Sequence, residues 1–104
     1  MAEPNVYCVL LARREDISHD EFLRTWLGEH RTLIGELPGL VDVQLLPVAD
    51  PAAGGPDGVG LLYFRNGAEL ATALASPAAL RLREHTASFA RSAEATRLLL
   101  VAGA

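Results

Sequence analysis

Apolar positions along this chain follow two periods, one of about two residues and one of about 3.6, and the switches between them mark its elements. Asn5 to Ala12 (NVYCVLLA) is a short run of β-formers and predicts a strand. Arg13 to Ile17 is a polar connection. Ser18-His19-Asp20-Glu21 then matches the S-x-x-E capping box and predicts a helix from about Ser18 to Leu37, stopped by Pro38-Gly39. Placed at about 100° per residue, Phe22, Leu23, Trp26, Leu27, Leu33, Ile34 and Leu37 form one apolar stripe. Arg24, Thr25, Gly28, Arg31, Thr32, Gly35 and Glu36 fall opposite. His30 falls in the middle of the stripe, the oddest placement in the chain.

Leu40 to Val48 alternates at Val41, Val43 and Leu45 and predicts a second strand. Ala49 to Gly58 (ADPAAGGPDG) has no periodicity and no apolar anchor, so a mobile loop is expected. Val59 to Phe64 predicts a third strand. Ala68 to Ala75 is helical in pattern, and Ser76-Pro77 restarts a helix through about Ala93, with serine as N-cap and proline at the first position. On that helix Ala78, Leu82, Phe89 and Ala93 share a face and His85 sits at its edge. Ala95 to Ala102 predicts a fourth strand. The order is β-α-β-β-α-β, a ferredoxin-like α+β fold spanning residues 1–104 as a single domain, with an antiparallel sheet of four strands and helices on one face.

That architecture leaves one sheet face bare, yet the strands are apolar on both: Val6, Cys8 and Leu10 against Tyr7, Val9 and Leu11, and Leu98 and Leu100 against Leu99 and Val101. A large uncovered apolar face asks for a partner, and a second copy related by a two-fold axis is the simplest one. A homodimer is therefore expected.

Composition narrows the partners. The net charge is −4, and all nine basic residues are arginines scattered along the chain, which argues against nucleic acid. The single cysteine, Cys8, excludes an internal disulfide; inside a strand it reads as a small hydrophobe. Met1 leads into Ala2-Glu3-Pro4-Asn5 without a basic and apolar leader, and no apolar run is long enough for a membrane span, so a cytoplasmic protein is expected.

The string Glu21 to Leu40, EFLRTWLGEHRTLIGELPGL, resembles the EthD-like proteins of the dimeric α+β barrel superfamily. Their first helix carries F-x-x-x-W-x-x-x-H and ends in L-P-G, matched here by Phe22, Trp26, His30 and Leu37-Pro38-Gly39. The strand ending at Arg13-Arg14, the Ile17-Ser18 approach and the alanine-rich second helix ending at Phe89 also fit. Such proteins often carry an aspartate near the position of Thr86; none stands there. The resemblance implies a homodimeric α+β barrel with a cavity in each subunit between helices and curved sheet. It also implies chemistry on hydrophobic cyclic, aromatic or polyketide-like compounds, usually without a cofactor. The expected function is a cofactor-free lyase, isomerase or cyclase. A non-catalytic small-molecule-binding or accessory protein and a cofactor-free or haem-type monooxygenase are the alternatives.

His30 reads either as a general acid or base lining that cavity or as a buried structural histidine; an imidazole near its ordinary pKa suits proton transfer. Trp26 and Phe22, on the same stripe, are either cavity wall or plain core. Tyr63, His85 and Phe89 are further candidates for contact with a substrate, and Tyr7 or Tyr63 is placed to orient an oxygen or His30. His19, next to the N-cap, is expected in solvent, as are Arg14 and Asp42 at strand ends. No two of His19, His30 and His85 have metal-ligand spacing, so no metal is expected, and the resemblance implies no other cofactor.

Overall fold

The computed structural model of the protein describes residues 3–102. Strand β1 (Val6–Leu11) is followed by a helical rod of three joined pieces: α1 (His19–Thr25), a π-helical turn (Trp26–His30) and α2 (Arg31–Ile34). Strands β2 (Leu40–Pro47) and β3 (Gly58–Phe64) come next, then α3 (Gly67–Leu74), α4 (Pro77–Phe89), a 3-10 turn (Ser92–Glu94) and β4 (Thr96–Leu100). The sheet order is β2-β3-β1-β4 and every pairing is antiparallel, as the split β-α-β unit requires.

The helix starts lie where the sequence puts them. Ser18 Oγ accepts from the Glu21 amide at 3.1 Å and the Glu21 carboxylate accepts from the Ser18 amide at 3.4 Å, closing the capping box. Asn66 and Ser76 cap α3 and α4 in the same way, at the amides of Glu69 and Ala79.

The rod departs from the expected uniform helix. Its buried residues Phe22, Trp26, His30 and Ile34 are spaced by four. In an ideal α-helix each such step overshoots a full turn by about 40°, so the series would spiral off the core. The wider π turn absorbs much of that overshoot and holds the four side chains against one surface. The cost falls on Leu27, expected in the stripe but 40% exposed. Similarly, α4 ends at Phe89 rather than Ala93, because the chain there bonds back to the end of β1: the Arg14 amide donates to Phe89 O and the Arg91 amide to Ala12 O.

Register decides which side chains meet the helices. Tyr7 pairs with Leu62, Val9 with Gly60 and Leu11 with Gly58, so Tyr7, Val9, Leu11, Leu62 and Phe64 point to the helix layer, joined by Val43 and Leu45 of β2. Gly58 is required by close packing: the Trp26 ring lies 2.5 Å from where a Cβ would stand. The opposite face holds Val6, Cys8, Leu10, Leu61, Tyr63, Leu98 and Leu100, none of them shielded by a helix. Val6 and Cys8 are covered by their strand neighbours, whereas Leu98 is 46% exposed.

The loop between β2 and β3 was expected to lack an anchor, but its last residue is among the most deeply buried in the protein. Asp57 is 1% exposed; its amide donates to Leu11 O at 2.7 Å and its carbonyl accepts from the Val48 amide at 2.9 Å. No helix among the described residues is long and apolar enough to cross a membrane.

Candidate active site

The π turn delivers His30 to the interior at 5% exposure. There its ring stacks on that of His85 from α4, with centroids 5.2 Å apart and planes 17° from parallel, and both rings abut Phe89. His30 Nδ1 and His85 Nδ1 lie 2.9 Å apart, so one carries the proton and the other accepts it. On the far side of His85, its Nε2 stands 3.5 Å from the Glu29 carboxylate. That contact favours a proton on His85 Nε2. His85 Nδ1 is then the acceptor, His30 Nδ1–H the donor, and the lone pair of His30 lies on Nε2. Among the described residues nothing hydrogen-bonds to that Nε2, and it is not sealed away as a buried unpaired atom.

Burial pushes the His30 pKa down, to about 4, and the neighbouring His85 adds to the effect. At neutral pH the imidazole is therefore uncharged, with a nitrogen free to accept a proton. A cavity of about 70 Å³ opens beside it, walled by Tyr7, Val9 and Leu11 of β1, Leu62 of β3, Ile34 and Leu37 beyond the π turn, and Leu74, Ala79, Leu82 and Thr86 of α3 and α4. Two charged residues, Arg83 and Arg97, complete the wall. Burial raises the Tyr7 phenol pKa, and the positive charges of Arg97 and Arg83 partly offset that rise.

The structure sorts the candidates drawn from the sequence. His30, His85 and Phe89 come together. Trp26 and Phe22 do not bound the cavity as expected; they pack on each other 5.5 Å apart, and Phe22 also meets Phe89, as core beneath the pair. Tyr63 lies on the other face of the sheet, because strand alternation sends it opposite Leu62, and its hydroxyl donates to Gln44 Oε1 at 3.1 Å. Tyr7 is the tyrosine at the cavity. Glu29 supplies the carboxylate that the apolar stripe lacks, since it is adjacent in sequence to His30 yet reaches the far side of His85.

A second polar cluster escaped sequence reasoning. His19 is not free in solvent: its Nδ1 lies 2.7 Å from Asp57 Oδ1, which also accepts from Arg13 Nη1 at 2.6 Å, while Asp57 Oδ2 accepts from the Arg13 amide at 2.8 Å. Burial would raise the Asp57 carboxyl, but these donors outweigh it and hold its pKa below the ordinary carboxylate value. Arg14 and Asp42 are exposed as expected, and Cys8 is buried in β1. Among the described residues no three His, Cys, Asp or Glu side chains are grouped to hold a metal ion.

The fold defines a class: an antiparallel four-stranded ferredoxin-like α+β sandwich. Its similarity to solved structures agrees. An EthD family protein from Bacillus halodurans superimposes with a TM-score of 0.75 at 16% identity, covering 95% of this chain and 99% of that one. SnoaB, a cofactor-independent oxygenase from Streptomyces nogalater, gives 0.72 at 16% identity, covering 99% and 96%. A Dabb family protein with a ferredoxin-like fold from Mesorhizobium loti gives 0.74 at 12% identity, covering 95% and 96%. At such identities the likeness establishes the fold. No family model and no curated protein matches the sequence.

Proposed function

We propose that this protein is a small enzyme that moves protons on a hydrophobic, cyclic metabolite without a cofactor, with His30 as general acid and base. The observation that carries this reading is a neutral buried imidazole whose Nδ1 is tied to His85 while its Nε2 is left unbonded beside an apolar cavity. His30 Nε2 takes a proton from a carbon next to a carbonyl, the C–H electron pair becomes an enolate, and the imidazolium returns the proton at that or another position. Behind Nδ1, His85 accepts its hydrogen bond and fixes the tautomer, and the Glu29 carboxylate beyond His85 offsets the transient positive charge. This is the shared first step of isomerisation, lyase and cyclisation chemistry.

The test uses 2-tetralone as a probe in deuterated buffer. The wild-type protein is expected to exchange its activated C–H hydrogens about 100-fold faster than His30→Phe, the usual size of a general-base contribution. Equal rates in the two proteins would remove the acid–base reading. A second reading rests on the likeness to SnoaB: the same enolate, formed from a more electron-rich ring, passes one electron to dioxygen. The substrate radical and superoxide couple to form a C–O bond, and the peroxide takes the proton held by His30 and loses water to leave a carbonyl. Oxygen uptake in the same assay separates the two.

The reading includes a homodimer, supported by the uncovered apolar face around Leu61, Leu98 and Leu100. Sedimentation should give twice the 11.1 kDa chain mass. A monomer would overturn the barrel arrangement.

A further inference from the structure

Seven of the arginines lie away from the cavity and two lie on its wall; of the seven, five are paired with carboxylates, and Arg24 and Arg31, both exposed, meet none among the described residues. Arg13, Arg14, Arg65, Arg81 and Arg91 each meet a carboxylate: Asp57, Asp16, Glu69, Glu36 and Glu94. Arg83 and Arg97 meet none among the described residues, in a chain with thirteen acids to nine bases. No carboxylate lines the cavity either. Arg97 is held from behind, its Nη1 donating to Ser92 O at 3.2 Å and its Nη2 to Ser92 Oγ at 3.3 Å. Its register opposite Val9 sets it on the helix-facing side of edge strand β4. Arg83 stands on α4 with Ala79, Leu82 and Thr86, the positions of that helix that line the same wall. Both charges are felt at the Tyr7 phenol.

We infer that Arg83 and Arg97, which share the cavity wall with Tyr7, form a subsite for a carboxylate, so that the ligand is an apolar ring system bearing an acid group. The chemistry follows from the walls: Val9, Leu62, Ile34 and Leu82 take an apolar body, while two uncompensated guanidiniums, one braced by Ser92, take its anion. In a chain of net charge −4 an organic acid is otherwise repelled, so a local cationic pair is what admits it. The inference rests on the cavity being the small-molecule site, and it does not depend on His30 performing chemistry.

The test titrates the intact protein with 2-naphthoate and, separately, with its neutral isostere 2-naphthamide, reading backbone amide shifts around Leu62, Leu82 and Thr86. The acid is expected to bind at least about tenfold more tightly than the amide, the order of a charge-assisted hydrogen bond, and to weaken as salt is raised. In an Arg83→Gln/Arg97→Gln double variant the preference should vanish with amide affinity unchanged. An Arg24→Gln control, on the exposed face of α1, should keep it. Equal affinity for both probes in the wild type, or an undiminished preference in the double variant, overturns the carboxylate subsite while leaving the cavity reading intact. Binding of neither probe overturns both. The His30→Phe variant, which tests the chemistry, should retain the acid preference, and its loss there would also count against an arginine clamp.

Discussion

Two buried polar clusters stand in this small fold and have solved opposite problems. Around Asp57 a fully buried carboxylate is met by a guanidinium, an imidazole and a backbone amide, with nothing left over. At His30 the buried ring itself is uncharged, and one nitrogen is left without a partner beside a cavity. The first arrangement spends all its hydrogen-bonding capacity on holding structure: it clips the end of the β2–β3 loop to β1 and to the start of α1. The second keeps capacity in reserve. A histidine with a near carboxylate is the usual sign of a catalytic dyad, yet here that sign marks the structural site, and a histidine whose direct partner is a second histidine marks the candidate for chemistry.

The contrast can be broken by mutation. Asp57→Ala should be the most damaging change, lowering stability by roughly 3–4 kcal/mol in chemical denaturation, because it orphans the Arg13 amide and leaves a guanidinium and an imidazole without their shared acceptor. A loss under about 1 kcal/mol would mean the cluster is solvated rather than structural.

Acid titration should separate the clusters next. The His30 pKa falls from 6.5 to about 4 on folding. Between those values the unfolded chain holds a proton that the folded chain refuses. Stability should therefore fall by up to roughly 3 kcal/mol as pH drops through that window, and His30→Phe should flatten this limb. Asp57 is depressed instead, so its contribution is complete above the ordinary carboxylate range and is lost only at lower pH, as the folded group protonates. A wild-type curve that is level from pH 6.5 to 4 would contradict the burial of a neutral His30.

A smaller effect is expected at His19. Its ring is one of three partners to Asp57 and is part-exposed, so His19→Ala should cost about 1 kcal/mol and leave 2-tetralone exchange unchanged. Lost exchange in that variant would move the chemistry to the wrong cluster. The smallest signal is in hydrogen exchange: the Asp57 and Val48 amides, bonded to Leu11 O and Asp57 O, should be protected, while those of residues 52–54 exchange freely. Uniform exchange from 48 to 57 would show that Asp57 does not clip the loop.

How much of this was legible depends on distance along the chain. Caps are local, so Ser18, Glu21, Ser76 and Pro77 fix the helix starts from sequence, and alternation gives four strands in an order that leads to one topology. His30 stands out because a polar residue on an apolar stripe breaks a local period. Asp57 does not: it sits in an aperiodic Pro/Gly-rich stretch and its partners are 44 and 38 residues away. The pairing of His30 with His85, 55 residues apart, is equally invisible until the helices pack. Tyr63 was misplaced for a different reason. Alternation says that it opposes Leu62, but only the register with β1 says which of those faces meets the helices. The π turn left one local trace, the run of fours through Phe22, Trp26, His30 and Ile34, which a uniform 100° step cannot represent.

The missing methyl at Gly58 acts as a calibration point for the whole site. Trp26 rests on the bare backbone there, and it sits on the same rigid rod, four residues before His30. A side chain at position 58 would act as a shim under the middle of that rod, lifting it away from the sheet. The vertical clearance of the chamber beside His30 is thus set by a residue that does not line it. Gly58→Ala and Gly58→Ser are therefore adjustments of pocket height, and the size of molecule that the protein accepts should change with them while every group at the proton-transfer site is kept.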